Sequence, residues 1–184
     1  MACGEELLWN EVCKSTPEKP LFTPLHERCL ELLKKFLIIG GMPAIVSKFI
    51  EKRDILSCQK TLNDLINSLK SDFSKYRKRY PEMRISTTFE AVVNQLGEKF
   101  NYGNVKPLSN RQVKDCIELL DKAGLIIPVV HSSANGIPLG AQVNIKKQKI
   151  ILLDTGITQR LLGLQLSDIL LSNDFDVVNK GAIA

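Results

Sequence analysis

Up to about residue 124 the apolar side chains of this chain recur at helical spacing, and beyond that point they form short runs separated by turn residues. That change of period predicts a mainly α fold with a small β part, the helical segment coming first. Leu7, Leu8 and Val12 mark a short amphipathic piece, followed by a Ser-, Thr- and Pro-containing connection over residues 15–24. Leu30, Leu33, Phe36 and Leu37 then repeat at helical spacing from about His26 to Ile39, where Gly40-Gly41-Met42-Pro43 stops the helix. Paired glycines supply unusual backbone angles, and Pro has no N–H to continue the ladder. Ile45, Val46, Phe49 and Ile50 resume the stripe. Ile55, Leu62, Leu65, Ile66, Leu69 and Phe73 line one face of a long helix that runs into Lys75-Tyr76-Arg77-Lys78-Arg79-Tyr80-Pro81.

That basic run has two readings. Lys75, Arg77, Lys78 and Arg79 complement the negative end of a helix that Pro81 terminates, or with the flanking tyrosines they form a secondary patch for phosphates and bases. Next, Thr87-Thr88-Phe89-Glu90 has the form of a capping box leading into Val92, Val93, Leu96 and Phe100. Ser109-Asn110-Arg111-Gln112 forms a second, leading into Val113, Cys116, Ile117 and Leu120. Gly124 closes that helix, Leu125 to Val130 reads as a short strand, and residues 131–140 as a loop. Strands over 141–145 and 149–153 are expected around a basic turn, Lys146-Lys147-Gln148.

Helix, connection, helix, strand, loop, strand is the order of a winged-helix domain, a variant of the helix-turn-helix. In it the helix over 110–123 holds the recognition position. Asn110, Arg111, Gln112 and Lys114 on that helix, with Lys146, Lys147 and Lys149 on the hairpin, are the candidate DNA-binding residues. Winged helices also serve as protein-docking modules or spacers, and Asp115, Glu118 and Asp121 would repel a duplex. Both uses stay open.

Lys and Arg outnumber Asp and Glu by 25 − 20 = +5, an excess compatible with a polyanionic partner or with an ordinary surface. Five cysteines, odd in number and without a CxxC pair, fit neither a disulfide framework nor a zinc knuckle, and point to a reducing, cytoplasmic location. Only His26 and His131 are present, and no apolar run approaches a membrane span. Phosphate-loop, dinucleotide-binding and zinc-protease signatures are missing, so no catalytic residue, metal ligand or cofactor is expected in this chain. Ile150-Ile151-Leu152-Leu153-Asp154-Thr155-Gly156 does reproduce the strand-Asp-Thr-Gly signature of aspartic proteases. That chemistry needs an all-β lobe, whereas helices surround this copy. Asp154 reads instead as the cap of a following helix over 157–167, with Gly156 easing the turn. At Gly40-Gly41-Met42-Pro43 the functional alternative is a close approach to a nucleotide. The structural one is a sharp corner with Met42 in the core, and it is preferred.

Phe36-Leu37-Ile38-Ile39-Gly40-Gly41-Met42-Pro43-Ala44-Ile45-Val46 resembles the "YLxxGGMPxxV" segment of bacterial and archaeal AAA-type ATP-binding proteins that carry a C-terminal domain of unknown function. Asp72-Phe73-Ser74-Lys75-Tyr76, Leu119 to Ile126, Ile151 to Gly156 and Asn179 to Ala184 match in the same order. The resemblance implies a P-loop ATPase domain before this region, a helical and winged-helix middle, and a restriction-endonuclease-like domain after it. On that basis residues 1–25 form a linker stub, 26–82 a helical connector, 84–156 the winged helix, and 157–184 the start of a truncated C-terminal domain. ATP and magnesium would belong to the missing ATPase domain. The expected partners are DNA and the missing domains, with a stand-alone DNA-binding regulator or a docking module as alternatives.

Overall fold

The structure, a computed structural model, describes residues 4–76 and 80–163. Among them the chain is mainly helical with a small antiparallel sheet. A short α1 (Glu6–Lys14) leads to α2 (Thr23–Ile39), α3 (Pro43–Lys52) and α4 (Ile55–Ser71). No described helix is long and apolar enough to cross a membrane. The α2 helix begins at Thr23, before the expected start at His26, because Pro24 in its first turn loses no hydrogen bond there. Its end at Gly40 (φ +76°) and the immediate start of α3 at Pro43 make the predicted corner, with Met42 packed against the helical core. Asp54 caps α4 by accepting from the Leu56 and Ser57 amides at 3.1 and 2.8 Å.

The expected long helix stops earlier than its apolar stripe. It gives way to a 3-10 segment, Asp72–Tyr76, that turns Phe73 into the second core, edge-on to Phe89 at 5.5 Å. Lys75 pairs with Asp72 at 2.6 Å, and Arg77, Lys78 and Arg79 lie outside the described residues. Then come α5 (Glu82–Asn94), α6 (Asn110–Lys122), strands β1 (Ile126–Ser132) and β2 (Val143–Leu152), and a final helix α7 (Thr155–Leu161). The far end of the helix expected over 157–167, and most of the C-terminal segment expected over 157–184, also lie outside the described residues.

Three expectations are corrected here. The Thr87-to-Glu90 box starts nothing: it lies inside α5, which begins just after Pro81, and both Thr88 and Phe89 face the core. Phe100 does not continue that helix. The chain breaks around Gly97, and the Phe100 amide donates to the Gln148 carbonyl at 2.9 Å, bringing this segment to the far edge of β2. Lys146-Lys147-Gln148 is not the hairpin turn either. One strand runs through it, and the tip of the hairpin is the loop 133–142.

Sheet register runs from Ile126 opposite Leu152 to Val130 opposite Gln148, then jumps to His131 opposite Asn144. Residues 145–147 are therefore unopposed, a bulge that opens the ladder. Leu153 donates to the Leu125 carbonyl, so ladder bonds fall on the odd residues of β1. Pro128, which has no N–H, sits on the even set and costs the ladder nothing. Tyr102 ties the Phe100 segment down: its hydroxyl accepts from the buried Gln148 side-chain amide at 2.5 Å, and its ring stacks edge-on to Phe100 at 5.1 Å.

Two apolar cores result. The helical one gathers Ile38 and Ile39 of α2, Ile45 and Phe49 of α3, and Cys58, Leu62 and Ile66 of α4. The other lies under α5, α6 and the inner face of the hairpin, where Ile85, Val113, Leu120, Ile126 and Ile150 are buried. The link between them is α7, whose Ile157 is buried in the helical core and whose Leu161 packs against both.

Asp154 sets that link. One carboxylate oxygen accepts from the Ile157 amide at 3.0 Å, capping α7 as expected. The other accepts from the Gly41 amide at 2.7 Å, across 113 residues of sequence. Thr155 donates from its hydroxyl to the Phe36 carbonyl at 3.3 Å. Gly156 does not ease a turn, contrary to expectation. It lies inside α7 with its Cα against the Ile39 backbone, where a Cβ would overlap the carbonyl, and a Cβ on Gly40 would overlap the Asp154 carboxylate.

Two outcomes are expected. Gly156→Ala must push two backbones apart and should lower the unfolding free energy in urea by about 1–3 kcal/mol or more. Asp154→Ala, which loses a cap and orphans the Gly41 amide, should cost roughly 1–3 kcal/mol, with Asp154→Asn in between. Unchanged urea midpoints would sink the proposed junction. Burial pushes the Tyr102 phenol above the ordinary tyrosine value, Gln148 opposing and Glu118 adding to the rise. The neutral phenol therefore contributes stability that is fully present below about pH 10 and is lost as pH climbs through its native value. Tyr102→Phe should be less stable than the parent at neutral pH by about 1–3 kcal/mol, the cost of an orphaned Gln148 amide. That gap should narrow in melts above about pH 10.

Candidate functional site

The start of α6 is built by the capping box that its sequence predicts. The Ser109 hydroxyl accepts from the Gln112 amide at 3.4 Å, and the Gln112 side-chain oxygen accepts from the Ser109 amide at 2.9 Å. Gln112 is thereby held against the backbone, which removes its carbonyl oxygen from the set of groups free to read a base. Val113, Cys116, Ile117 and Leu120 turn inward, leaving Asn110, Arg111 and Lys114 exposed on the other side. Asp115 is half-buried, while Glu118 and Asp121 are exposed further along the helix.

On the hairpin, Lys147 closes the bulge and Lys149 stands opposite Val129, both exposed, and Lys146 falls within the bulge. Two grooves meet beside them. One, of about 310 Å³, is lined by Val129, Val130 and His131 from β1, by Lys147, Gln148 and Lys149 from β2, and by Lys99. The other, of about 380 Å³, runs from Lys99 past Asn101 and Tyr102 to Asn110 at the first turn of α6. Lys99 borders both. The structure thus brings Asn110 and the hairpin lysines to adjoining grooves, through a residue that sequence reasoning missed. The signal for Lys99 was Gly97, two residues before it, whose positive φ of 82° turns the chain after α5 toward β2.

The charges differ between the two halves of the chain. In the helical half Lys14 pairs with Glu11, Arg28 with Glu5 and Glu31, Lys48 and Lys52 with Glu51, and Lys75 with Asp72. Lys99, Arg111, Lys114, Lys147 and Lys149 have no carboxylate partner among the described residues, so their charge is available to a ligand.

Burial pushes the Cys58 and Cys116 thiols up, which favours their protonated form, and among the described residues no three Cys, His, Asp or Glu side chains converge to hold a metal. Asp154, the carboxylate of the protease-like motif, has each oxygen occupied by a backbone amide. Gly40, Gly41, Met42 and Pro43 form the corner that supports it.

No curated protein and no solved structure matches this chain. One family model does, over residues 30–168, a span that takes in α3 to α7, most of α2, the hairpin and both grooves. The chain belongs to the family described as Domain of unknown function (DUF8612).

Proposed function

We propose that this chain is the non-catalytic middle of an AAA-type ATP-binding protein, in which a winged helix contacts duplex DNA and the helical part couples that contact to a separate ATPase domain. The observation that carries the reading is a group of exposed cations without a carboxylate partner among the described residues, Lys99, Arg111, Lys114, Lys147 and Lys149, around the first turns of α6 and the bulge of β2. Cations without internal partners release counterions from a phosphate backbone at no cost to ion pairs of their own.

Support for the winged helix comes from the order of elements. The α5 helix, the Phe100 segment bonded to β2, α6, and then the two strands follow the arrangement in which α6 is the recognition helix. Coupling draws on the Asp154–Gly41 bond, because the strand that carries Lys147 and Lys149 ends two residues before Asp154. The family resemblance supplies the ATPase, with its ATP and magnesium, as a neighbouring domain.

Fluorescence anisotropy of a labelled duplex tests the DNA contact. Binding should weaken steeply as salt rises. Replacing Arg111 and Lys114 together with Ala should cost about tenfold in affinity and shallow the salt slope by roughly one unit for each phosphate that is no longer neutralised. A chain that fails to bind any duplex at low salt would refute the reading.

A further inference from the structure

The outer face of the β1–β2 hairpin breaks the alternation expected of a solvent-facing sheet. Ile126, Ile150 and Leu152 face the core, as they should. Yet Ile127, Val129 and Ile151, on the opposite face, are apolar too and stand 49, 48 and 37 % exposed. Register sets Ile127 directly opposite Ile151 and Val129 opposite Lys149, so the three aliphatic side chains form one patch with a lysine at its end. Just beyond, the bulge opens the groove floored by Val129 and Val130 and rimmed by Lys99, Lys147, Lys149 and His131. A half-solvated antiparallel sheet ordinarily carries polar residues on its outer side. An aliphatic centre with a cationic rim is the composition of a docking surface.

Charge complementarity identifies the occupant. Among the described residues Lys99, Lys147 and Lys149 have no carboxylate of their own, so the partner brings carboxylates, and Ile127, Val129 and Ile151 call for aliphatic side chains between them. Nucleic acid fits the aliphatic face poorly, since Ile127, Val129 and Ile151 offer no ring for a base to stack on and His131 is the one ring lining the groove. Pro128 lacks an outward N–H in the middle of β1, which disfavours addition of a strand at that edge and leaves the face itself as the contact. We infer that the outer face of the hairpin, with the groove at its bulge, docks an extended segment of a protein partner in which aliphatic and acidic residues alternate. In an extended segment alternate side chains point the same way, matching the two-residue spacing of Ile127 and Val129.

This docking would compete with duplex DNA for Lys99, Lys147 and Lys149 but not for Arg111 and Lys114, so the two can be separated. The probe is a fluorescein-labelled synthetic peptide of alternating Val and Glu, about eight residues long to span a strand of ordinary length. Its anisotropy is titrated with the full chain at moderate salt. Saturable binding is expected, weakened about tenfold or more by Val129→Asp and likewise by Lys147→Glu with Lys149→Glu. Replacement of Arg111 and Lys114 with Ala should leave it unchanged, while that same double variant binds duplex DNA about tenfold more weakly. Circular dichroism melts establish that each variant is folded, and Val129→Ser takes the place of Val129→Asp if the charge unfolds the hairpin. The inference is overturned if the peptide does not bind, if Ser can replace its Val without loss, or if a Val–Lys peptide binds equally. It is also overturned if a thymidine oligonucleotide binds more tightly and shares the sensitivity to Val129, which would make the occupant a nucleic acid.

Discussion

The two oxygens of the Asp154 carboxylate join the start of α7 to the corner between α2 and α3. One oxygen satisfies an amide at the start of α7, which any helix of this kind needs. The other takes the Gly41 amide, left free where α2 ends and α3 has not yet begun. A hydrogen bond to a charged acceptor contributes on the order of 1.5–3 kcal/mol. The larger effect is geometric, because fixing Asp154 there aims α7 so that Ile157 enters the helical core, where burial of an Ile side chain stabilises by about 1.5–3 kcal/mol. Both glycines of the contact follow from the same demand for closeness. Gly40 leaves room for the carboxylate, and Gly156 lets α7 rest on the α2 backbone.

This explains why a protease-like signature occurs in a chain with no protease lobe. In an aspartic protease the carboxylate must be free to share a proton and activate water. Here it is consumed twice by backbone donors, and the Thr155 hydroxyl bonds a carbonyl of α2. Asp, Thr and Gly at these three positions cap, bridge and allow close approach. The segments Gly40-Gly41-Met42-Pro43 and Ile151 to Gly156 are the two sides of one contact.

Features fixed within a few residues were legible in the sequence. The Ser109–Gln112 box, the corner at Gly40 and the cap at Asp154 each need only a side chain, a φ angle or a missing N–H to act locally, and each stands where the residue types place it. Thr87 to Glu90 shows the limit of that logic. Its pattern is as good as that of Ser109 to Gln112, yet Thr88 is wanted in the core and Pro81 opens the helix first, so tertiary burial overrides the local signal. The bulge at 145–147 was illegible for a related reason. Lysines at a turn and lysines bulging from a strand look alike until the partner strand fixes the register. Partners far apart in sequence, such as Asp154 with Gly41, leave no local trace at all.

At the candidate site the residue types were legible and their grouping was not. The net charge of +5 gives no hint that, among the described residues, the cations held in ion pairs (Lys14, Arg28, Lys48, Lys52 and Lys75) lie in the helical half, while those around the start of α6 and the hairpin are exposed. That asymmetry matters because a cation already paired with a carboxylate must break that pair before it can hold a ligand, whereas Lys99, Lys147 and Lys149 need only shed water and mobile ions. The same strand that presents these lysines ends two residues before Asp154. The end of β2 is thus set beside the carboxylate that accepts from the Gly41 amide at the α2–α3 corner.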